Sequence, residues 1–227
     1  YYDSPGTGAF GSAVFVDTVD YLDANYRTIA SRGGRAVVGG SMGGYGALLA
    51  GILHPGRFSA VAALSPSICG LDVIDIDLYV PFLRLVLGKE EARQAGRNDI
   101  ADILNTCDMI FSPDRPLVPS IMRDDSGRSV SMDPVARANW EAADAGAMTK
   151  AHADAFSDVA VRVSCEECDE FGFAGPDRRF SSVLRETGIQ HELVIFRDRR
   201  AARVSAHTVG IAFQITEGLR FCLNHIG

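Results

Sequence analysis

The sequence predicts an α/β fold built around a mostly parallel sheet, on three observations. Short apolar runs rich in β-branched residues alternate with segments of helical period. One such run, "RAVVGG", passes straight into "SMGGYGALLAGIL" through a glycine-rich turn. A block of helix-like segments with Pro-rich connections, residues 68–156, interrupts the alternation once and reads as a helical cap inserted above the sheet.

Each element follows from its residues. In "VFVDTVDYLDANYRTI" (14–29), Val16, Val19, Leu22 and Tyr26 recur near helical spacing and predict a helix ending near Asn25. "RAVVGG" is a buried strand. "MGGYGALLAGIL" has small and apolar residues all round, as a helix enclosed against a sheet has, and His54-Pro55-Gly56 stops it. "FSAVAALSPS" is the next strand, ending at Ser65 and Pro66. Inside the cap, "YVPFLRLVLG", "NDIADILNTC" and "DPVARANWEAADAG" are candidate helices, whose apolar residues form the cap's own core or line a pocket. "DVAVRVSC" then predicts a strand, "PDRRFSSVLRETG" a helix with a glycine stop, "HELVIF" a strand, and "HTVGIAFQITEGLRFCLNHI" a final amphipathic helix. No repeat or linker divides the chain, so one domain is expected over residues 1–227.

Composition narrows the function. A net charge of −7 disfavours nucleic acid and anionic surfaces as partners. No run approaches 18 apolar residues, so no membrane span is expected. The first residue is Tyr1 and no secretory leader follows it, so a processed, trimmed or partial chain is expected, its location unknown with cytoplasmic slightly favoured. Five cysteines rule out a complete disulfide framework. Cys165-x-x-Cys168 lacks a second pair at metal spacing, so two free thiols are expected ahead of a loop disulfide, a redox pair or half a zinc site.

The chemistry centres on Ser41. Gly39-Gly40-Ser41-Met42-Gly43 fits G-x-S-x-G, a sharp strand-to-helix turn that holds a serine in a strained conformation. The glycines two before and two after the serine are expected because a Cβ would clash in so tight a turn, and Gly44 and Gly46 to let the helix lie close to neighbouring strands. The helix N-terminus points its N–H groups at the place where negative charge develops. The alternative, a phosphate cradle, lacks the lysine and glycine spacing of a P-loop. A serine hydroxyl needs a base, and the base needs an orienting carboxylate. In this architecture they follow in the order Ser, acid, His. Glu166, Glu167, Asp169 and Glu170 follow the "VRVSC" strand, and spacing alone does not choose among them. His207 follows the next strand; His54, His152, His191 and His225 are placed for structural or solvated roles.

"GGSMGGYGALLAGILHPGRFSAVAALS" resembles the esterase family of α/β-hydrolases that includes S-formylglutathione hydrolases, feruloyl esterases and the mycolyltransferase antigens. "DYLDANYRTIASRGGRAVVGGSMGGYGAL" is similar to that family's helix, strand and nucleophile segment, and "CDEFGFAGPDRRFSSVLRETGIQHELVIF" to its acid loop with the helix and strand that follow. The resemblance covers most of the chain outside residues 70–130. It implies an α/β-hydrolase sheet, with Ser41 as nucleophile, His207 as general base, Asp169 as acid and the Met42 backbone N–H as one oxyanion donor. "NWEAADAGAM", with Trp140 and Asp144, is similar to a stretch that supports the site, and Gly40 and Trp140 are expected to contact substrate. A small-molecule ester is the implied substrate, and no cofactor is implied.

The chain departs from the family in two ways. Nothing in residues 1–36 supplies the early strands or the loop that carries the second oxyanion donor. Sheet edges are therefore expected to be exposed, favouring pairing with another copy. A non-catalytic relative or fragment, acting as a binding or scaffold protein, is the second reading. The approach to His207 is also "RDRRAARVSAHT", where the family has glycines: Arg197, Arg199, Arg200 and Arg203 form either a solvated loop or a basic rim for an anionic ester.

Overall fold

The computed structural model describes residues 1–68, 98–125, 129–200 and 205–227. The candidate helix "YVPFLRLVLG", Cys69 and Arg203 lie outside the described residues. In chain order the elements begin with β1 (Asp3–Ser4), β2 (Gly8–Ala9), and a helical turn, Phe10–Ser12, that runs through a π-helical turn, Ala13–Asp17, into α1 (Thr18–Asn25). Then come β3 (Ala36–Gly40), α2 (Met42–Leu53), β4 (Ala60–Leu64), α3 (Asn98–Phe111), β5 (Met122–Arg123), β6 (Ser129–Ser131), α4 (Pro134–Ala142) and α5 (Ala145–Ala151). β7 (Ala160–Glu166), α6 (Ala174–Glu186), β8 (His191–Phe196) and α7 (Ala206–Leu223) complete the chain. The residues cluster into two compact units: Tyr1 with residues 11–68 and 145–227, and residues 2–10 with 69–144.

The first unit is the predicted α/β-hydrolase sheet. Its strands lie in the order β3–β4–β7–β8, and every pairing is parallel. The register aligns Gly40, Leu64, Ser164 and Val194 in one row across the sheet. All four strands therefore end on the same side, and the loops that follow them meet there. Ala36, Val38, Ala60 and Ala62 turn toward α7, around Cys222. The small residues matter, because a Cβ on Gly218 of α7 would come within 3.4 Å of both Leu64 and Val38. β4 is buried along its whole length, so its other face must be covered too. α2 packs along β3 and β4 with Leu48, Leu49 and Ile52 fully enclosed.

α1 ends where its periodicity predicts, but it buries no residue. Its ion pairs Asp23–Arg35 and Asp20–Arg57 tie it to the segments before β3 and β4. Its apolar stripe lines an open groove of about 410 Å³ with Val38, Leu219 and Leu223. Among the described residues β3 pairs only with β4, so this groove runs beside an unpaired strand edge.

The second unit is smaller and holds two antiparallel ribbons, β1–β2 and β5–β6. Its organising group is the buried carboxylate of Asp108, which accepts the N–H groups of Leu117 (2.8 Å) and Val118 (3.1 Å) and the indole N–H of Trp140 (3.0 Å). Asp133 caps α4 by accepting from the backbone N–H of Val135 and Ala136, with Pro134 at the first helical position. The predicted helix over "DPVARANWEAADAG" stops at Ala142, and α5 packs with α2 and α6 of the first unit. The second unit ends at Asp144.

Leu48 is fully enclosed on the helix that carries the G-x-S-x-G turn. Leu48→Ala is expected to lower stability by about 2–5 kcal/mol, read as a drop in urea midpoint at unchanged slope.

Candidate active site

The turn after β3 is as tight as its sequence implies. Ser41 sits at φ 55°, a left-handed conformation rare for a residue with a side chain. Three bonds fasten it: its N–H donates to the Leu64 carbonyl at the end of β4 (2.9 Å), and its own carbonyl accepts from Tyr45 (3.1 Å) and Ser67 (3.2 Å). A Cβ on Gly39 would lie 2.0 Å from the Gly43 carbonyl oxygen, so no other residue fits there. The clash expected at Gly43 does not exist, because a Cβ there would meet nothing within 4 Å. The backbone of Gly43, not its missing side chain, is what Gly39 approaches. Gly44 does let α2 close on Pro66 beyond β4, whereas Gly46 faces the ring of Tyr1 and no strand.

The packing of two further residues bears on the substrate contacts expected of them. The space beside Gly40 is filled by Ile211 of α7, 2.7 Å from where a Cβ would stand, so Gly40 leaves room for that helix. Trp140 is enclosed in the second unit, 2% exposed, against Phe111 and with its indole N–H taken up by Asp108. It presents no free face for a substrate. Met42 opens α2, and its N–H is among the four that a helix leaves without an intrahelical partner. Its side chain is exposed.

The carboxylate cluster after β7 is sorted by the fold. Asp169 reaches the imidazole of His207: its Oδ2 lies 2.7 Å from Nδ1, with both side chains buried. An ionised carboxylate only accepts, so the ring proton sits on Nδ1 and the lone pair on Nε2. The other oxygen of Asp169 accepts from the Phe171 N–H at 2.9 Å. Glu167 pairs with Arg178 at the surface. Glu166 is fully buried and accepts the N–H groups of Cys168 and Asp198, the second at 3.1 Å. Glu170 accepts from the Ser205 hydroxyl (2.5 Å) and from the backbone N–H of His207 (2.7 Å). Burial raises the Glu170 pKa, but these hydrogen bonds outweigh it and hold the carboxyl below its ordinary value. The rings of Phe171 and Phe173 stand edge-on to the imidazole at 4.8 and 5.3 Å.

α7 returns His207 to the strand ends. Ile211, one turn beyond His207, lies on Gly40 beside the nucleophile turn, and Gly210 seats against Glu166. One turn further, the Gln214 amide joins Ser65 beyond β4 to Ser164 in β7. Nothing in the sequence marks Gln214 for this bridge except its polarity on an otherwise apolar face. The remaining histidines with described partners are structural: His191 bonds Ser181 and Ile189, His225 bonds the Phe221 carbonyl, and His54 packs on Phe15.

Cys165 and Cys168 are free thiols. Burial raises the pKa of Cys165, whose sulfur lies 3.4 Å from the Glu166 carbonyl oxygen and 3.9 Å from Asp169 Oδ2. Arg197 reaches the Cys168 sulfur, and Arg200 pairs with Asp198 while lying over the Phe213 ring. Among the described residues no group of three or more His, Cys, Asp or Glu could hold a metal, and no helix is long and apolar enough to cross a membrane.

The sequence pattern of the family described as "Putative esterase" matches residues 5–192. Among solved structures, a ferulic acid esterase superposes with a TM-score of 0.56 at 17% identity, over 98% of this chain and 64% of its own. The S-formylglutathione hydrolase of Staphylococcus aureus gives 0.54 at 12%, over 95% and 65%. A fluorophosphonate-binding serine hydrolase of the same organism gives 0.53 at 13%, over 92% and 64%. The chain spans less than two thirds of the length of each of these. A comparison with curated proteins finds no match.

Asp177 lies near Asp169. It is fully buried, and burial, joined by the nearby Asp169 charge and opposed by the Cys165 thiol beside it, raises its pKa well above the ordinary value. The native state keeps this proton while the unfolded chain releases it above pH about 4, so the contribution of the group is full below that pH and declines as pH rises. Asp177→Asn is therefore expected to gain melting temperature over wild type at pH 8 and to lose that advantage near pH 4. A gain of equal size at both values would contradict the assignment.

Proposed function

The chain belongs to the esterase family whose pattern it matches over residues 5–192, and from that premise we propose that it is a serine carboxylesterase. The observation that carries the reading is the buried contact from His207 Nδ1 to Asp169, which leaves Nε2 as a proton acceptor. Ser41 Oγ attacks the acyl carbon of a small ester, and its proton passes to Nε2 of His207. Asp169 holds the ring in that tautomer and stabilises the imidazolium. The tetrahedral oxyanion lies at the N-terminus of α2, where the Met42 N–H donates to it. Collapse breaks the bond to the alcohol, which leaves with the proton from His207. Water then gives a proton to the same imidazole, adds to the acyl-enzyme, and releases the acid and Ser41. An alcohol or thiol taking the place of water turns the same site into an acyltransferase.

The strain at Ser41 supports the nucleophile assignment, since a non-glycine residue at positive φ persists only where its surroundings enforce it. The unpaired edge of β3 favours the second reading, a non-catalytic relative that binds or scaffolds. One experiment separates the two. A fluorophosphonate probe, read by intact mass, is expected to add once to wild type and not at all to Ser41→Ala. Absence of an adduct on folded wild type selects the non-catalytic reading. With p-nitrophenyl acetate, Asp169→Asn is expected to lower kcat by as much as about 10⁴-fold, through loss of the correct tautomer.

A further inference from the structure

Two consecutive residues hold the same histidine by different handles. Asp169 takes the imidazole at Nδ1, while Glu170 takes the main-chain N–H of His207 and, through the same carboxylate, the hydroxyl of Ser205. Ser205 in turn caps α7, its oxygen accepting from the Thr208 N–H at 3.0 Å. The first turn of α7 is thus fixed from outside by a negative group placed where the helix presents unpaired donors. We infer that Glu170 is the positioning residue of the base: its carboxylate on the His207 N–H and the Ser205 hydroxyl sets the place from which the imidazole reaches Ser41. The inference rests on the serine-esterase reading.

The geometry distinguishes this role from general bracing. Glu166 ties the same two loops together at their roots, through Cys168 and Asp198, and touches neither His207 nor its helix cap. Glu170 acts at the far end, on the residue that carries the base. Asp169 alone fixes how the ring is turned, but not where its Cα stands. A displacement of about 1 Å in a reacting group costs on the order of 10²-fold in rate.

The test uses hydrolysis of p-nitrophenyl acetate and the rate of fluorophosphonate labelling, on wild type, Glu170→Ala, Glu170→Gln and Ser205→Ala, each checked for a cooperative melt. Glu170→Ala is expected to lower kcat and the labelling rate together by about 10–100-fold, with KM within about twofold of wild type. Glu170→Gln keeps a carbonyl acceptor for one of the two donors and is expected to recover part of the loss. Ser205→Ala keeps the bond to His207 and is expected to lose only a few-fold, which keeps the comparison available if Glu170→Ala does not fold. Folded Glu170 variants that label and turn over at the wild-type rate would overturn the positioning role while leaving the esterase reading intact. So would a loss confined to KM, or a Gln variant no better than Ala. Wild type that takes up no probe would overturn the esterase reading, and this inference with it.

Discussion

The parallel register of four strands is the constraint from which the rest of the site follows. Because Gly40, Leu64, Ser164 and Val194 share one row, the segments carrying Ser41, Ser65, Asp169 and Asp198 all leave the sheet on the same side. A single antiparallel strand in that row would send one of them to the opposite end. The row also sets what α7 must do. It has to cross back over the sheet closely enough to bring its first turn to the strand ends, and Gly210 and Gly218 make that approach sterically available.

Much of this was legible from residue order. The four strands, α2, α6 and α7 were marked by apolar runs and by glycine or proline stops, because these elements are buried and their patterns are enforced by packing. The acid was different. Four carboxylates within five residues are equivalent in sequence, and only the backbone path after Glu166 sends Asp169 to the ring, Glu170 to the helix cap and Glu167 to solvent. The glycines misled for a related reason. Spacing tells that a turn is tight, but not which partner comes near. Gly40 makes room for Ile211 and Gly43 makes room for nothing. Trp140 misled because its apolar bulk and polar edge suit a ligand pocket as well as they suit the Asp108 cluster. The hairpin of residues 2–10 went unread because strands of two residues have no periodicity to detect.

The region behind the site is unusually rich in buried acid. Glu166, Asp169 and Asp177 are all enclosed, and the fold treats each differently. Glu166 is matched by two backbone N–H groups, Asp169 by an imidazole and a backbone N–H, and Asp177 has the Cys165 thiol beside it. Burial raises the Asp177 pKa well above its ordinary value, so this group adds less negative charge beside Asp169 than an exposed carboxylate would.

The bond from Glu170 is made to a peptide group and is indifferent to the side chain at position 207. Replacing the imidazole would leave this bond, the cap of α7 and the seat of α7 on the sheet available. The loop after β7 and the first turn of α7 are therefore joined through main chain, and that joint does not depend on which side chain the helix presents at this position.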